Sequence, residues 1–464
     1  MRITWDDECC RPVTLPQTRV DFLLRGYTCR WILIVGGGIL QVPAVEAAHD
    51  LGYKVVVTDW NPECVCAKLA DHFEQISTFD TEEHVRYVQK SWQEKTGVPL
   101  AAVFTAGADP IVTVARAAEA AGCHGLPVHI AETCADKTKT RNALDGLGLQ
   151  PEWGVIPTMK EAYLGIRKKE DYIAMGAAKI MSFTKRAGKS GYIVKATGSS
   201  GSRGHTRGTA EDFQSEEFCA DAYALARKFS NARDVLVEEL LTGIELSVET
   251  LWYDGTMIPL NAVERPFRAG TNIELGHYNP AMLEPETWKQ VWAVMQQAGD
   301  AIGMCDTVGG HIIKGDLILT DDGPKVLELT ARLSGGFDSG WTSPLAHGVN
   351  YTRGALKLAL GWPLHEALPD FAPRWHRHAA CLAVFAEPGI VKAIHGVEKA
   401  SVYPACNGEK KPVDVILRYD VSDTVPELVD CTQRAAFVIA GADSRREAFN
   451  MAKWARDAIE YEVE

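Results

Sequence analysis

From residue 31 onward, short apolar runs alternate with amphipathic stretches. WILIV (31–35) leads into three glycines, a helical pattern covers 43–51, and KVVVTD (54–59) follows. Apolar runs of this length bounded by turn residues predict buried strands, so the three segments predict a βαβ unit. A third strand is expected at AAVFT (101–105). It precedes DPIVTVARAAEAAG, in which Pro110 and Gly122 stand where helix starts and stops prefer them. The alternation implies an open, mostly parallel α/β sheet.

Beyond residue 131 the pattern changes. A helix is expected over 136–147, then strands at 191–196 and at VLVEELL (235–241). HIIKGDLILT (311–320) and KVLELTAR (325–332) flank the turn residues DDGP and predict an antiparallel pair with acids on both strands. After 371 come two further strand-like runs, VDVILRY and AFVIAGA, and a closing helix. Ser444 with Glu447 forms a capping signature there, and Ala448, Met451, Ala455 and Ile459 form an apolar stripe. These elements predict a small α+β lobe.

Composition narrows the class. The 464 residues suffice for two to four domains, and 46% apolar with 23% charged residues is a globular profile. A formal charge of −13 argues against broad nucleic-acid or anionic-membrane binding. A polar leader of about thirty residues lacks signal-peptide features, and no run approaches a membrane span of ~18 apolar residues. The expectation is a cytoplasmic protein. Twelve scattered cysteines read as reduced buried thiols, and the close pairs Cys9/Cys10 and Cys64/Cys66 lack zinc-site spacing.

GYIVKATGSSGSRGH (191–205) is a strand ending on a lysine that enters a glycine- and serine-rich loop. A Walker loop carries its lysine after the last glycine, whereas Lys195 precedes the loop. A solvated hairpin or a flap closing over phosphates, with Lys195 and Arg203 as its charges, remain as readings. Three more segments follow one order with it: ADKTKTRNALDGLGLQP (135–151), VEELLTGIELSVE (237–249), and KGDLIL with VLELTARLSGG (314–319, 326–336). Together they resemble the ATP-grasp superfamily over residues 30–464.

The resemblance implies an ATP-grasp α/β fold: a leader (1–29), a Rossmann-like front domain (30–130), an ATP-grasp domain (131–370, lid about 160–245) and a C-terminal α+β domain (371–464). It implies ATP contacts from Lys137, Lys195 and the flap residues Ser199, Ser200, Gly201, Ser202 and Arg203. Adenine would lie against Glu238, Glu239, Leu240 and Leu241, with Glu245 near the ribose. Asp316 and Glu328 look like the pair that holds magnesium, for which manganese can substitute; hard oxygen donors on adjacent strands suit that ion. Arg332 would stabilise transferred charge, and Ser334, Gly335 and Gly336 would offer N–H groups to a tetrahedral oxyanion. Thr330 stands where the family commonly has asparagine, and Asp316 where glutamate is more frequent. Residues 161–191 form a longer connection than usual, read as a solvated elaboration of the lid.

ERPFRAGTNIELGHYNPA (264–281) resembles the substrate segment of L-amino acid ligases, with Glu274 and His277 as its E-x-x-H pair. Arg268 is a candidate for a substrate carboxylate. The implied function is an ATP-dependent carboxylate–amine ligase acting on small acids and amines, amino acids among them, through an acyl phosphate, with a homodimer as a common assembly. An ATP-grasp carboxylase or purine-pathway-type ligase is the alternative. A nucleotide- or NAD-binding non-ligase is a third class; Gly36–38 and Asp59 suggest it, but Gln41 occupies the third glycine position of a dinucleotide fingerprint.

Overall fold

The computed structural model describes residues 30–157, 169–198, 201–230, 234–405 and 408–464. The leader, Ser199 and Ser200 lie outside them. Strands β1 (Trp31–Val35), β2 (Lys54–Asp59), β3 (His72–Gln75) and β4 (Leu100–Phe104) form a parallel sheet in the order β3-β2-β1-β4. Its strands are apolar on both faces because each face is covered. Ile32, Ile34, Val55 and Val57 pack in one cluster, and Leu33, Val35 and Val56 in the opposite one. β3, HFEQ, has no apolar periodicity, which is why the sequence pattern passes over it. The helix Ile111–Ala121 ends on Gly122 at φ +65°, a left-handed stop that glycine adopts without Cβ strain.

A second sheet lies largely within the residues expected to form the lid. It contains β5 (Trp153–Ile156), β6 (Gly191–Ala196), β7 (Thr206–Thr209) and β8 (Val235–Glu239), ordered β5-β8-β6-β7 and antiparallel throughout. The helices Lys169–Ala187 and Glu216–Phe229 pack on it. Tyr172, Ala177 and Ile180 are buried against Tyr223 and Ala226, so the connection before β6 contributes to a core from Tyr172 onward and is not the solvated elaboration expected. Residues 158–168 lie outside the described segments.

The third sheet carries the paired acids Asp316 and Glu328. β9 (Ile244–Tyr253), β10 (Thr256–Arg265), β11 (Gly276–Asn279), β12 (Gly310–Thr320), β13 (Gly323–Thr330) and β14 (His378–Val384) run in the order β13-β12-β9-β10-β11-β14. The strands Ala436–Ala442 and Asp414–Leu417 then extend it to eight. The pairing of β11 with β14 makes the sheet continuous from the acid-bearing hairpin into the C-terminal residues. The helix Lys137–Ala143 stops short of the expected 136–147, since Gly146 and Gly148 take positive φ. Ser444 caps the closing helix Arg445–Ala458 by accepting from the Glu447 amide, and its stripe of Ala448, Met451 and Ala455 is buried.

Candidate active site

A cleft of about 380 Å³ lies between the lid, the third sheet and the C-terminal residues. Side chains alternate along a strand, so every second residue of β9, β10, β12 and β13 points to its floor. Register places them in rows. Glu245 stands opposite Arg265; Ser247 lies between Val263 and Asp316, which pairs with Glu328; Glu249 faces Lys314. The lid supplies the roof with Lys195, Gly201, Ser202 and His205.

Lys137, Lys195, Gly201, Ser202, Glu238, Glu239, Leu240, Leu241, Glu245, Glu274, His277, Asp316, Glu328, Arg332, Ser334, Gly335 and Gly336 all line this cleft. Two expectations differ. Arg203 lines an adjoining cavity that shares Asp109, Lys137, Glu328 and Thr330 with the cleft. Arg268 closes a tight turn, donating its amide to the Ile273 carbonyl, and it is Arg265, three residues earlier, that points inward. Period-two alternation along β10 was the signal for Arg265.

The charges are arranged as buried chains. Glu238 Oε1 accepts from Arg141 Nε at 2.5 Å and Oε2 from Lys195 Nζ at 2.6 Å. Burial opposes its ionisation, but the Arg141 and Lys195 charges win and hold the carboxyl at about 2. Arg141 also donates to the Val326 and Leu327 carbonyls, tying the lid strand to β13. His205 is kept neutral: burial, then the Lys195 and Lys137 charges, push its proton affinity well down.

On the floor, Lys137 Nζ contacts Glu328 Oε1 at 2.7 Å, and Asp316 Oδ1 accepts from Lys314 at 2.6 Å and Arg265 at 2.8 Å. Arg265 reaches Glu274 Oε2 at 3.1 Å, and Arg434 lies 3.6 Å from the same oxygen. Despite burial, Arg265 with Lys314 holds Asp316 at about 2, and Arg265 with Arg434 holds Glu274 at about 2. Burial lowers His277 to about 4, so its imidazole is neutral near pH 7, 2.9 Å from the Thr342 hydroxyl. Arg332 is steered by Asp109, whose Oδ1 accepts from Nε at 2.9 Å. Arg141, Arg265, Asp109 and Arg434 went unread in the sequence because each is placed by a contact 9 to 223 residues away; Lys314 meets Asp316 two residues on, along the same face of β12.

The donor set suits a divalent cation: two carboxylates, Asp316 and Glu328, pair across adjacent strands, and the Glu328 side chain is 32% exposed. Asp316 meets that role in competition with Lys314 and Arg265. The front-end glycines are engaged internally. Gly37 N–H donates to Asp59 Oδ2 at 2.8 Å, and Gln41 brackets Ala106, accepting from its amide and donating to its carbonyl.

Residues 382–464 match the family model of the L-amino acid ligase C-terminal domain 2. No curated protein matches the chain. Solved structures match over nearly its whole length. The L-amino acid ligase from Bacillus licheniformis is 20% identical, covers 94% of this chain and 99% of its own, and has a TM-score of 0.71. The phosphoribosylglycinamide synthetase from Anaerococcus prevotii is 17% identical, covering 94% and 100%, with a TM-score of 0.67. The biotin carboxylase domain dimer of the Hydrogenobacter thermophilus 2-oxoglutarate carboxylase, solved with MgADP, ADP and bicarbonate, is 16% identical, covering 94% and 91%, at 0.63. The chain therefore has the ATP-grasp fold, and its last 83 residues match the L-amino acid ligase C-terminal domain 2 model.

Proposed function

We propose that this chain is an ATP-dependent ligase joining a small carboxylic acid to an amine, amino acids among them. The observation that carries the reading is one cleft whose floor pairs Asp316 with Glu328 while Lys137 and Lys195 approach from two other elements. The match of residues 382–464 supports an amine acceptor over bicarbonate chemistry.

In this reading ATP lies between the lid and the third sheet, with adenine against the backbone of 238–241 and the ribose near Glu245. Magnesium, when bound by Glu328 and Asp316, neutralises phosphate charge and orients it. Lys137 and Lys195 exchange their carboxylate partners for phosphate oxygens, which keeps the buried charge balanced. The acid's carboxylate oxygen attacks the terminal phosphorus, ADP leaves, and Arg332, aimed by Asp109, stabilises the charge on the acyl phosphate. The amine nitrogen then attacks the acyl carbon, and inorganic phosphate departs with the former carboxylate oxygen. Backbone N–H groups of Gly335 and Gly336 stabilise the oxyanion between these events; the Ser334 N–H, expected to join them, is instead donated to Glu249 Oε1 at 2.8 Å.

Glu274, ionised and framed by Arg265 and Arg434, suits a substrate ammonium beside its carboxylate. We further propose the four-part division at residues 29, 130 and 370, a cytoplasmic location and a homodimer. The test is a matrix of acids and amines scored for ADP release and for product mass. Pair-dependent ADP release with a condensed product is expected; turnover that requires bicarbonate and no amine would refute the reading.

A further inference from the structure

Glu249 on β9 and Asp338, just beyond Gly336, are 1% and 2% exposed. One oxygen of each is saturated. Glu249 Oε1 accepts from the Ser334 amide at 2.8 Å and the Ser339 hydroxyl at 2.6 Å. Asp338 Oδ1 accepts from Asn279 Nδ2 at 3.2 Å, Thr342 Oγ1 at 3.3 Å and Ser343 Oγ at 3.0 Å. The other two oxygens, Glu249 Oε2 and Asp338 Oδ2, are buried without a hydrogen-bond partner among the described residues. Two ionised, half-satisfied carboxylates in one buried layer are strongly unfavourable.

Their surroundings leave that deficit in place. Burial and then the charge of Glu249 raise the proton affinity of Asp338 well above the carboxylate range, and burial raises that of Glu249. Lys314, facing both from β12, is shared with Asp316 at 2.6 Å. Tyr351, from the helix Tyr351–Ala359, lies in the same field and is itself pushed up by burial and by both acids. His277 and His347 reach the layer through Thr342 and Asn279.

The two acids also flank one loop, Glu249 through its carboxylate and Asp338 through its backbone amide. Glu249 holds the Ser334 amide, and the Asp338 amide donates to the Gly335 carbonyl at 3.2 Å. The loop sits tightly, since a Cβ on Gly335 would stand 2.8 Å from the Gly107 carbonyl oxygen. We propose that Glu249 and Asp338 hold a single proton between Oε2 and Oδ2, and that this bridge is the positioning element that clamps the 334–336 loop on the cleft floor. One proton supplies the missing donor for both orphaned oxygens and removes one of two adjacent buried charges.

A folded state that keeps a proton the unfolded chain releases loses stability as pH rises from the ordinary carboxylate range through the titration of the pair. E249Q replaces the bridging proton by an amide N–H at every pH. Between about pH 5 and about pH 8 the melting temperature of the wild type is expected to fall about 2–4 °C further than that of E249Q; D338N serves as the second variant. Parallel profiles for wild type and both variants overturn the proposal. Infrared spectroscopy of the wild type needs no variant: a protonated-carboxyl band persisting to neutral pH is expected, and its absence is equally fatal. A kinetic arm rests on the ligase reading: the alkaline fall in kcat for ADP release should move to higher pH in E249Q, with the KM for ATP unmoved. A wild type that melts as expected yet releases no ADP with any substrate pair would refute the ligase reading and leave the bridge standing.

Discussion

At the scale of single residues, the site is built from carboxylates that each hold a cation in place. Glu238 joins Lys195 to Arg141, and the two cations do different work. Arg141 is 1% exposed and anchored to β13, so Arg141→Met should destabilise the chain by about 3–5 kcal/mol, the cost of leaving a buried charge half-paired; urea unfolding reads it. Lys195 lines the cleft, so Lys195→Ala should weaken ATP binding by about 1.5–3 kcal/mol, the worth of a hydrogen bond to a charged group, as measured by calorimetry. Unchanged affinity would remove Lys195 from the phosphate site. Glu328→Gln keeps the shape and removes the charge, and should abolish magnesium-dependent ADP release while the fold persists by circular dichroism. Acid sensitivity follows from three carboxyls. Glu238, Glu274 and Asp316 lie at about 2, below the ordinary carboxylate value of about 4. Their contribution is present above about pH 4 and is lost as pH falls toward about 2. Denaturant midpoints that stay level across that window would contradict these ion pairs.

At the scale of elements, close backbone contacts bring the 264–281 segment to the cleft. Gly276 starts β11 at φ +141°, and a Cβ there would lie 2.0 Å from the Cys381 carbonyl oxygen on β14. Gly276→Ala should therefore force β11 from β14, destabilising the chain by about 1–3 kcal/mol, the cost typical of overpacking, and displacing His277 one residue on. A stability equal to wild type in urea would mean that the strands separate without cost. The hairpin of β9 and β10 turns on Asp254 and Gly255, both at positive φ, between matched ten-residue strands. That Asp-Gly pair is a strong local hairpin signal, and with it the row of Glu245, Ser247, Glu249 and Arg265 becomes legible. The strand–lysine–loop and the acid-bearing hairpin of β12 and β13 were legible already, because each carries its pattern within a single element.

At the scale of the whole molecule, the cleft is closed by pieces distant in the chain. Cys431 N–H reaches the Gly201 carbonyl at 3.4 Å, and Arg207 Nη1 donates to the Thr271 carbonyl at 2.7 Å, so the second sheet and its β6–β7 loop meet both the C-terminal residues and the 264–281 segment. Arg434, stacked 4.8 Å over the Phe437 ring and facing Glu274, belongs to the same closure. Arg434→Ala should raise the KM for the carboxylate-bearing substrate at least tenfold and leave that for ATP unchanged; a uniform change in both would assign it a structural role instead. The sequence by itself determined the parallel front sheet and the antiparallel acid-bearing hairpin, because local periodicity and turn chemistry within one element carry that information, while about half of the residues lining the cleft were implied by the resemblance to the ATP-grasp superfamily. Only the tertiary structure decided which cation each carboxylate holds, that Arg265 and not Arg268 points inward, and that Glu249 and Asp338 lie beneath one loop. Those pairings depend on strand register and on burial across up to 223 residues, and the energy of a charge is set by what surrounds it in space.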